Sequence, residues 1–359
     1  MLASPSDVRS HGSRLDPATL MRSMRAQDLS PERGAWRAWH DETRPIRIGV
    51  STCLLGESVR YDGGHKRDAF LVDVLGPFVE WVSVCPEVEV GMGVPRPTVQ
   101  LVRDGDELRM VAPSSGEDFT ARMNAFAKRR VAELKKHELD GYVLKKNSPS
   151  CGMARVKVHE SGASAPSGKN GVGLFARALQ DAWPHLPVEE EGRLADPVLR
   201  ESFVERVFCR HRWRTLLAGK RTRARLVEFW TEHKMLVRAH DEAGYQRIGR
   251  IVGSARKGGD RELYERFESA FFAALAVKAT RKKHANVLQH ALGHLREALD
   301  TGERAQLVTA IDDYRKGLLP LVVPVTLLRF QIVKHRVEYL QGQLYFDPHP
   351  KELMLRNHV

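Results

Sequence analysis

The chain has 359 residues, a formal net charge of +12 and 42% hydrophobic residues, which is typical of a globular protein with more than one domain. No apolar run approaches the roughly 18 residues of a membrane-spanning helix, and no secretory signal is visible, which favours a cytoplasmic protein. Its four cysteines are too few for a disulfide framework and are more often metal ligands, nucleophiles or core residues.

The positive charge belongs to the C-terminal part of the chain. Residues 200–359 contain 30 Lys and Arg against 18 Asp and Glu, whereas the first 199 residues contain 27 of each sign. A neutral first half and a basic second half indicate that the second half binds a polyanion.

Residues 1–44 are rich in Ser, Arg, Asp and Pro and show no sustained periodicity. We expect a flexible extension here, with one short helix near residues 21–25.

Residues 45–190 predict an α/β domain. Apolar runs predict strands at 46–50, 81–85, 108–111 and 142–145, and helical spacing predicts helices at 67–76, 118–138 and 172–183. The alternation of strands and helices favours a Rossmann-like, mostly parallel sheet.

Two stretches interrupt this pattern. Residues 160–168 are rich in Ser, Gly and Ala and predict a flexible surface loop. Residues 184–192 contain two prolines and three glutamates and predict the joint between the domains.

Residues 197–359 predict an all-α domain, because long amphipathic patterns replace the strand signals. The predicted helices are 202–217, 221–239, 245–252, 261–299, 304–316 and 325–343.

Three cysteines come after predicted strands. Cys53 follows the first strand, Cys85 the second, and Cys151 lies on a polar loop, residues 145–152, after the last. The carboxyl ends of parallel strands meet at the sheet edge where open α/β folds bind ligands. We therefore expect the three thiols to lie together.

The residues alone leave three interpretations of these thiols open. Soft sulfur ligands suit an iron–sulfur cluster, and three of them would leave one iron without a protein ligand. The spacing is too wide for a zinc ribbon, whose ligands come in close pairs. Independent core cysteines and a cysteine nucleophile are the other two interpretations.

The sequence around the cysteines resembles the thiouracil desulfidase (TudS-like) family. The matching motifs are residues 51–56 with 60–63, residues 85–87 with 95–97, and residues 148–152, in that order. The resemblance implies that Cys53, Cys85 and Cys151 bind a 4Fe-4S cluster whose open iron takes up the sulfur of a thiolated pyrimidine. It also implies that Glu87 and Ser148 assist hydrolysis.

Other residues of the motifs have open roles. Ser150 either caps the turn or contacts the substrate. Arg60, Tyr61 and Asp62 either contact the base or brace their loop, and bracing is the favoured interpretation. Cys209, in the helical half, is expected to be a core residue.

The helical half interleaves basic and aromatic residues, a pattern that can neutralise phosphates and stack on bases, although such runs often mark only a solvated helix face. The candidate RNA contacts are Arg212, Arg214, Arg221, Arg223, Lys282 and Lys283, together with Ser150 of the first domain. The histidines are too scattered to indicate a metal site.

Residues 229–234, 283–290 and 345–357 resemble the YbgA-type helical domain. Proteins that fuse this domain to a TudS-like domain are similar to the RNA desulfidases (RudS-like) that act on 4-thiouridine in tRNA. In those proteins the helical domain is thought to bring the RNA to the cluster.

The sequence thus predicts an iron–sulfur-dependent hydrolase that converts 4-thiouridine in tRNA to uridine and releases sulfide. Two alternatives stay open. One is a desulfidase of free thiopyrimidines such as 2-thiouracil, and the other is a non-catalytic iron–sulfur RNA-binding protein that senses redox state.

Overall fold

The computed structural model describes residues 35–41, 43–160, 166–253 and 260–359. The helix predicted near residues 21–25 lies outside these ranges. The described part consists of an α/β region followed by an all-α region, which confirms the predicted fold class. No helix within it combines the length and the apolar character needed to cross a bilayer.

Four parallel strands form the first sheet. They are β1 (Arg47–Ser51), β2 (Glu80–Val84), β5 (Gly141–Leu144) and β8 (Val188–Glu190), in the order β2-β1-β5-β8. Three of them were predicted. The fourth lies in the stretch predicted to be the domain joint, so that prediction was wrong for 188–190. This short strand is paired with β5 and closes one side of the sheet.

Helices cover both faces of the first sheet. On one face, Tyr142 and Leu144 pack with α2 (Thr120–Lys135) and α3 (Leu174–Ala182). On the other, Ile48 and Val143 pack with the first half of α4 (Pro197–Ala218). Burial on both faces explains why these strands appear in the sequence as continuous apolar runs.

A second four-stranded sheet was only partly predicted. It contains β3 (Gln100–Asp104), β4 (Glu107–Val111), β6 (Val156–Glu160) and β7 (Pro166–Gly171), in the order β4-β3-β6-β7. Only β3 and β6 are parallel. The predicted strand at 108–111 belongs here and not to the parallel sheet. Of the predicted loop at 160–168, Glu160 ends β6 and residues 166–168 begin β7, while residues 161–165 lie outside the described ranges.

The all-α region begins with α4. Its remaining helices are α5 (Arg223–His240), α6 (Glu242–Gly253), α7 (Asp260–Leu275), α8 (Arg281–His294), α9 (Thr301–Lys316), α10 (Val322–Lys334) and α11 (Glu338–Gln341). A short helix in the α/β region, α1 (Pro86–Glu89), follows β2.

Side-chain caps fix several helix starts. Asp196 precedes α4, and its carboxylate accepts hydrogen bonds from the amides of Val198 and Leu199 in the first turn. Thr280 precedes α8, and its hydroxyl accepts a hydrogen bond from the amide of Lys283. Such caps satisfy N–H groups that the helix leaves unpaired. The single helix predicted at 261–299 is wrong, because Thr280 starts a new helix inside it.

Helix α4 belongs to two cores. Phe203 and Val207 pack against the parallel sheet, while Trp213 and Leu216 pack in the helical core. Trp39, inside the predicted flexible extension, is also buried in the helical core. The prediction of flexibility is therefore wrong for residues 35–41.

Candidate active site

The three cysteines line one cavity at the carboxyl edge of the parallel sheet. The cavity has a volume of about 380 Å³ and is lined by Cys53, Cys85, Cys151, Glu87, Ser148 and Ser150, among other residues. Cys53 and Cys151 are buried, and Cys85 is half-buried. The structure therefore brings together the residues that the sequence selected as ligands and catalysts.

The Cys151 loop is held by the N-terminus of α3. The amides of Leu174 and Phe175 donate to the carbonyls of Pro149 and Ser150, at 3.1 and 3.0 Å. These amides have no partner within their own helix, so the loop caps α3 while α3 fixes the loop. A Cβ atom at Gly173 would lie 2.5 Å from the Ser150 carbonyl group, so only glycine allows this approach.

Arg96 holds Glu87 from one side. Two guanidinium N–H groups donate to Oε2 of Glu87 at 2.9 and 2.7 Å, and Nη1 donates to the carbonyls of Val59 and Gly93. The Arg96 side chain is only 3% exposed. Glu87 is thus an oriented carboxylate and not a solvated residue at a strand end.

Two serines approach the other oxygen of Glu87. The Ser150 hydroxyl donates to Oε1 at 2.6 Å and the Ser148 hydroxyl at 3.3 Å, and the two hydroxyl oxygens are 2.9 Å apart. Ser148 Oγ also accepts from the amides of Ser150 and Cys151. Ser150 is therefore the closer partner of Glu87, and Ser148 is in addition the centre of the turn.

Sequence reasoning missed the acidic residues that brace this edge. Glu191 accepts from Lys145 Nζ at 2.5 Å and from the amide of Lys146 at 2.8 Å, and Glu190 accepts from the amide of Met153. These contacts hold the chain on both sides of Cys151. Nothing in the sequence distinguished Glu190 and Glu191 from ordinary linker residues, because the groups that they contact are distant along the chain.

The donor set consists of three sulfur atoms on one cavity, and soft sulfur ligands suit an iron–sulfur cluster. Burial raises the pKa of Cys53 to about 11 and also raises the pKa of Cys85 and Cys151. Buried thiols of this kind become thiolates when a metal binds. In the described part of the chain, no three His, Cys, Asp or Glu side chains are arranged to hold one metal ion.

Two of the predicted RNA contacts are structural. Arg212 is 1% exposed, and its guanidinium donates to the carbonyls of Trp36 and Pro348. Arg214 donates to the buried carboxylate of Asp140 at 3.1 and 2.9 Å. The prediction is wrong for Arg212, because its side chain is inside the core. Arg214 joins the helical region to the parallel sheet, and its contact with RNA stays a prediction.

The other predicted RNA contacts differ in exposure. Arg221 and Lys282 are exposed, whereas Arg223 and Lys283 are half-buried. Lys283 Nζ donates to the carbonyls of His240 and Lys278. Contact of Arg221, Arg223, Lys282 and Lys283 with RNA stays a prediction.

Arg221 lies near the edge of the parallel sheet where the strands begin, whereas the cavity lies at the edge where they end. Helix α4 begins shortly after β8. One turn before its end, Arg214 contacts Asp140, which lies just before β5. The helix therefore runs antiparallel to the strands, and its 22 residues span about 33 Å. An RNA that contacts both Arg221 and the cavity must reach along this whole length.

Cys209 lies in the helical core beside Arg212 and away from the cavity, as expected of a core cysteine. A buried ionic cluster lies nearer the start of the same helix. Glu201 accepts from Arg356 at 2.7 Å, and Glu205 lies 3.6 Å from His240. This cluster ties the C-terminal segment to α4 and α5.

Two family models match the chain. Residues 48–191 match the 2-thiouracil desulfurase model, and residues 234–350 match a model described as a protein of unknown function, DUF1722. The first match covers the cavity residues named above, and the second covers most of the helical region. The stretch between the matches contains α4, the helix that belongs to both cores.

Three individual proteins are similar to parts of the chain. The uncharacterized protein YbgA of Escherichia coli is 28% identical over 44% of this chain and 94% of its own length. The uncharacterized protein YbbK of Bacillus subtilis is 28% identical over 40% of this chain and 96% of its own length. A solved structure of TudS, a 4Fe-4S-dependent thiouracil desulfidase, has 32% identity over 44% of this chain and 98% of its own, with a TM-score of 0.37.

Proposed function

Because residues 48–191 form a 2-thiouracil desulfurase domain and residues 234–350 form a DUF1722 domain, we propose that the protein is an iron–sulfur-dependent desulfidase of thiolated pyrimidines. The observation that carries the proposal is the convergence of Cys53, Cys85 and Cys151 on one cavity that also contains the oriented carboxylate of Glu87.

The proposed cofactor is a 4Fe-4S cluster held by Cys53, Cys85 and Cys151. Three sulfur donors on one cavity support it, two of them buried, as does the dependence of the similar solved protein on such a cluster. When bound, the cluster would supply a Lewis-acidic iron that attracts a soft thiocarbonyl sulfur and makes the ring carbon more electrophilic.

The residues of the chain supply the proton chemistry. Glu87 accepts a proton from water as the water oxygen adds to the thiocarbonyl carbon. Arg96 directs the carboxylate through two hydrogen bonds, and Ser150 and Ser148 orient the water or pass the proton on. The C–S bond then breaks and sulfur leaves as hydrosulfide, which takes up the proton. Water and thiocarbonyl become carbonyl and hydrogen sulfide, with no net transfer of electrons.

The proposed physiological substrate is 4-thiouridine in tRNA. The net charge of +12 in residues 200–359 supports a polyanionic substrate. The cavity gives independent support, since two of the five basic side chains in its lining, Lys66 and Lys146, form no ion pair within the described ranges. A neutral free base has no need of these charges.

Anaerobic reconstitution, followed by iron and sulfide analysis, tests the cofactor. Sulfide release from 2-thiouracil and from thiolated tRNA then tests the substrate, and we expect the higher kcat/KM with the tRNA. Turnover of the free base alone would contradict the RNA substrate and favour the free-thiopyrimidine alternative.

A matched variant separates the enzyme from a redox sensor. Glu87→Gln keeps the size of the side chain, and we expect it to retain the cluster and lose about 100-fold or more in sulfide release. Unchanged release would contradict the role of Glu87 and leave a non-catalytic sensor as the better interpretation.

A further inference from the structure

The mouth of the cavity presents an aromatic side chain beside basic ones. Tyr61 lines the cavity and is 42% exposed. Lys66 and Lys146 line the same cavity and are exposed. Within the described ranges, neither ammonium group forms an ion pair with a carboxylate at 4.0 Å or less, although the backbone amide of Lys146 donates to Glu191. By contrast, the deeper cations of the lining, Arg96 and Lys145, are paired with Glu87 and Glu191.

Backbone hydrogen bonds hold the Tyr61 loop rigidly. The amide of Arg96 donates to the carbonyl of Tyr61 at 3.0 Å, the amide of Lys66 donates to the carbonyl of Cys53 at 2.8 Å, and Arg60 and Gly64 are joined across the turn. The loop is therefore fixed both to a cysteine and to the arginine that orients Glu87.

Bracing does not require the aromatic ring. The contact that braces the loop is made by the Tyr61 carbonyl, which any residue provides. The Arg60 guanidinium lies 5.3 Å from the centre of the ring and is itself paired with Asp62. An arginine over an aromatic ring makes a platform on which a nucleobase stacks.

We propose that Tyr61, Lys66 and Lys146 form a subsite for the single-stranded RNA that flanks the thiolated pyrimidine. The ring of Tyr61 stacks on the neighbouring base, and the two ammonium groups neutralise adjacent phosphates. The inference rests on the proposed function and adds a determinant that selects a polynucleotide over a free base. It places RNA recognition on the catalytic domain itself, at the edge of the sheet opposite the one near Arg221.

The test uses the full-length reconstituted protein with two substrates, a short oligoribonucleotide with one internal 4-thiouridine and free 2-thiouracil. We expect Tyr61→Ala to lower kcat/KM for the oligonucleotide about ten-fold, because the variant loses one stacked base. Turnover of 2-thiouracil stays within about two-fold. Tyr61→Phe, which keeps the ring, behaves like the wild type. Tyr339→Ala, at an exposed tyrosine of the helical region, is the matched control.

An oligonucleotide with abasic neighbours isolates the stacking. The wild type loses about ten-fold on this substrate, and Tyr61→Ala loses little more. The double variant Lys66→Gln/Lys146→Gln flattens the dependence of log kcat/KM on log salt by about 0.7 for each phosphate contact removed.

The two ways of failing are distinguishable. If the wild type releases sulfide from the oligonucleotide and Tyr61→Ala does so equally well, the subsite is wrong and the proposed function stands. An equal loss on both substrates also overturns the subsite, because it means that the ring only supports the loop. If the wild type acts on 2-thiouracil alone, the RNA substrate and the subsite both fail.

Discussion

Arg96 directs two guanidinium N–H groups at a single oxygen of the Glu87 carboxylate, at 2.9 and 2.7 Å. Its remaining amino group is held by the carbonyls of Val59 and Gly93. Arg96 therefore acts as a positioning residue, which fixes the carboxylate in the direction of the cavity and leaves the other oxygen to the serines.

We expect Arg96→Lys to lower kcat for sulfide release, by up to about a hundred-fold, with little change in KM. A lysine cannot reproduce the planar fork, and a small displacement of a catalytic group has this effect on rate. Steady-state kinetics with iron content measured in parallel checks the prediction. Arg109→Lys, at an exposed ion pair with Asp118, is the control. A loss of cluster in Arg96→Lys would contradict a positioning role.

The two serines of the turn are expected to differ. Ser150→Ala removes the 2.6 Å contact with Glu87 and should lower kcat by roughly 10- to 100-fold with the cluster retained. Ser148→Ala also removes the acceptor for the amides of Ser150 and Cys151. It should therefore lower both activity and iron content. Iron analysis of the two variants distinguishes these outcomes, and equal iron loss in both would show that they share one structural role.

The cysteines give a direct test of the ligand set. Replacing Cys53, Cys85 or Cys151 with Ala should abolish the visible absorption of the reconstituted protein, because each change removes one of the three proposed ligands. Cys209→Ala removes a thiol from the helical core, away from the cavity, and should leave the absorption unchanged. A spectrum that survives the loss of Cys85, which is the most exposed of the three, would mean that the cluster has another ligand.

Much of this site was predictable, since Cys53, Cys85 and Cys151 each follow a strand of one parallel sheet, and parallel strands bring their carboxyl ends together. The contributions of Glu190 and Glu191 were not predictable, because they depend on pairing β8 with β5 across more than forty residues. The burial of Arg212 was missed for a similar reason. A run of charges does not show which member faces a core that is built from distant segments.

The helical region should depend on the contact between Arg214 and Asp140. Asp140 is completely buried and also accepts from the amide of Arg47. Arg214→Ala leaves this carboxylate without its charged partner, which costs about 3–5 kcal/mol. Urea unfolding measures the loss. Arg221→Ala, at an exposed residue near the same end of α4, should change stability by less than about 0.5 kcal/mol. Equal effects of the two substitutions would contradict the role of Arg214.

The buried pair of Glu205 and His240 should make stability depend on pH. Burial works to raise the pKa of Glu205, but His240 and Arg356 outweigh it and hold the pKa at about 2. Burial works to lower the pKa of His240, but Glu205 outweighs it and raises the pKa above the usual 6.5. The stabilisation from Glu205 is present above about pH 4.5 and is lost as pH falls towards 2. The stabilisation from His240 is present below about pH 6.5 and is lost as pH rises through its pKa in the folded protein.

The difference in unfolding free energy between the wild type and Glu205→Gln should therefore be largest between about pH 4.5 and 6.5. Breaking a buried pair costs about 3–5 kcal/mol there, and the difference should shrink on either side. Thermal or urea unfolding at a series of pH values measures it. Glu265→Gln breaks an exposed pair with Arg261 and should have no effect above about 1 kcal/mol at any pH. A difference for Glu205→Gln that does not vary with pH would show that Glu205 and His240 do not form an ion pair.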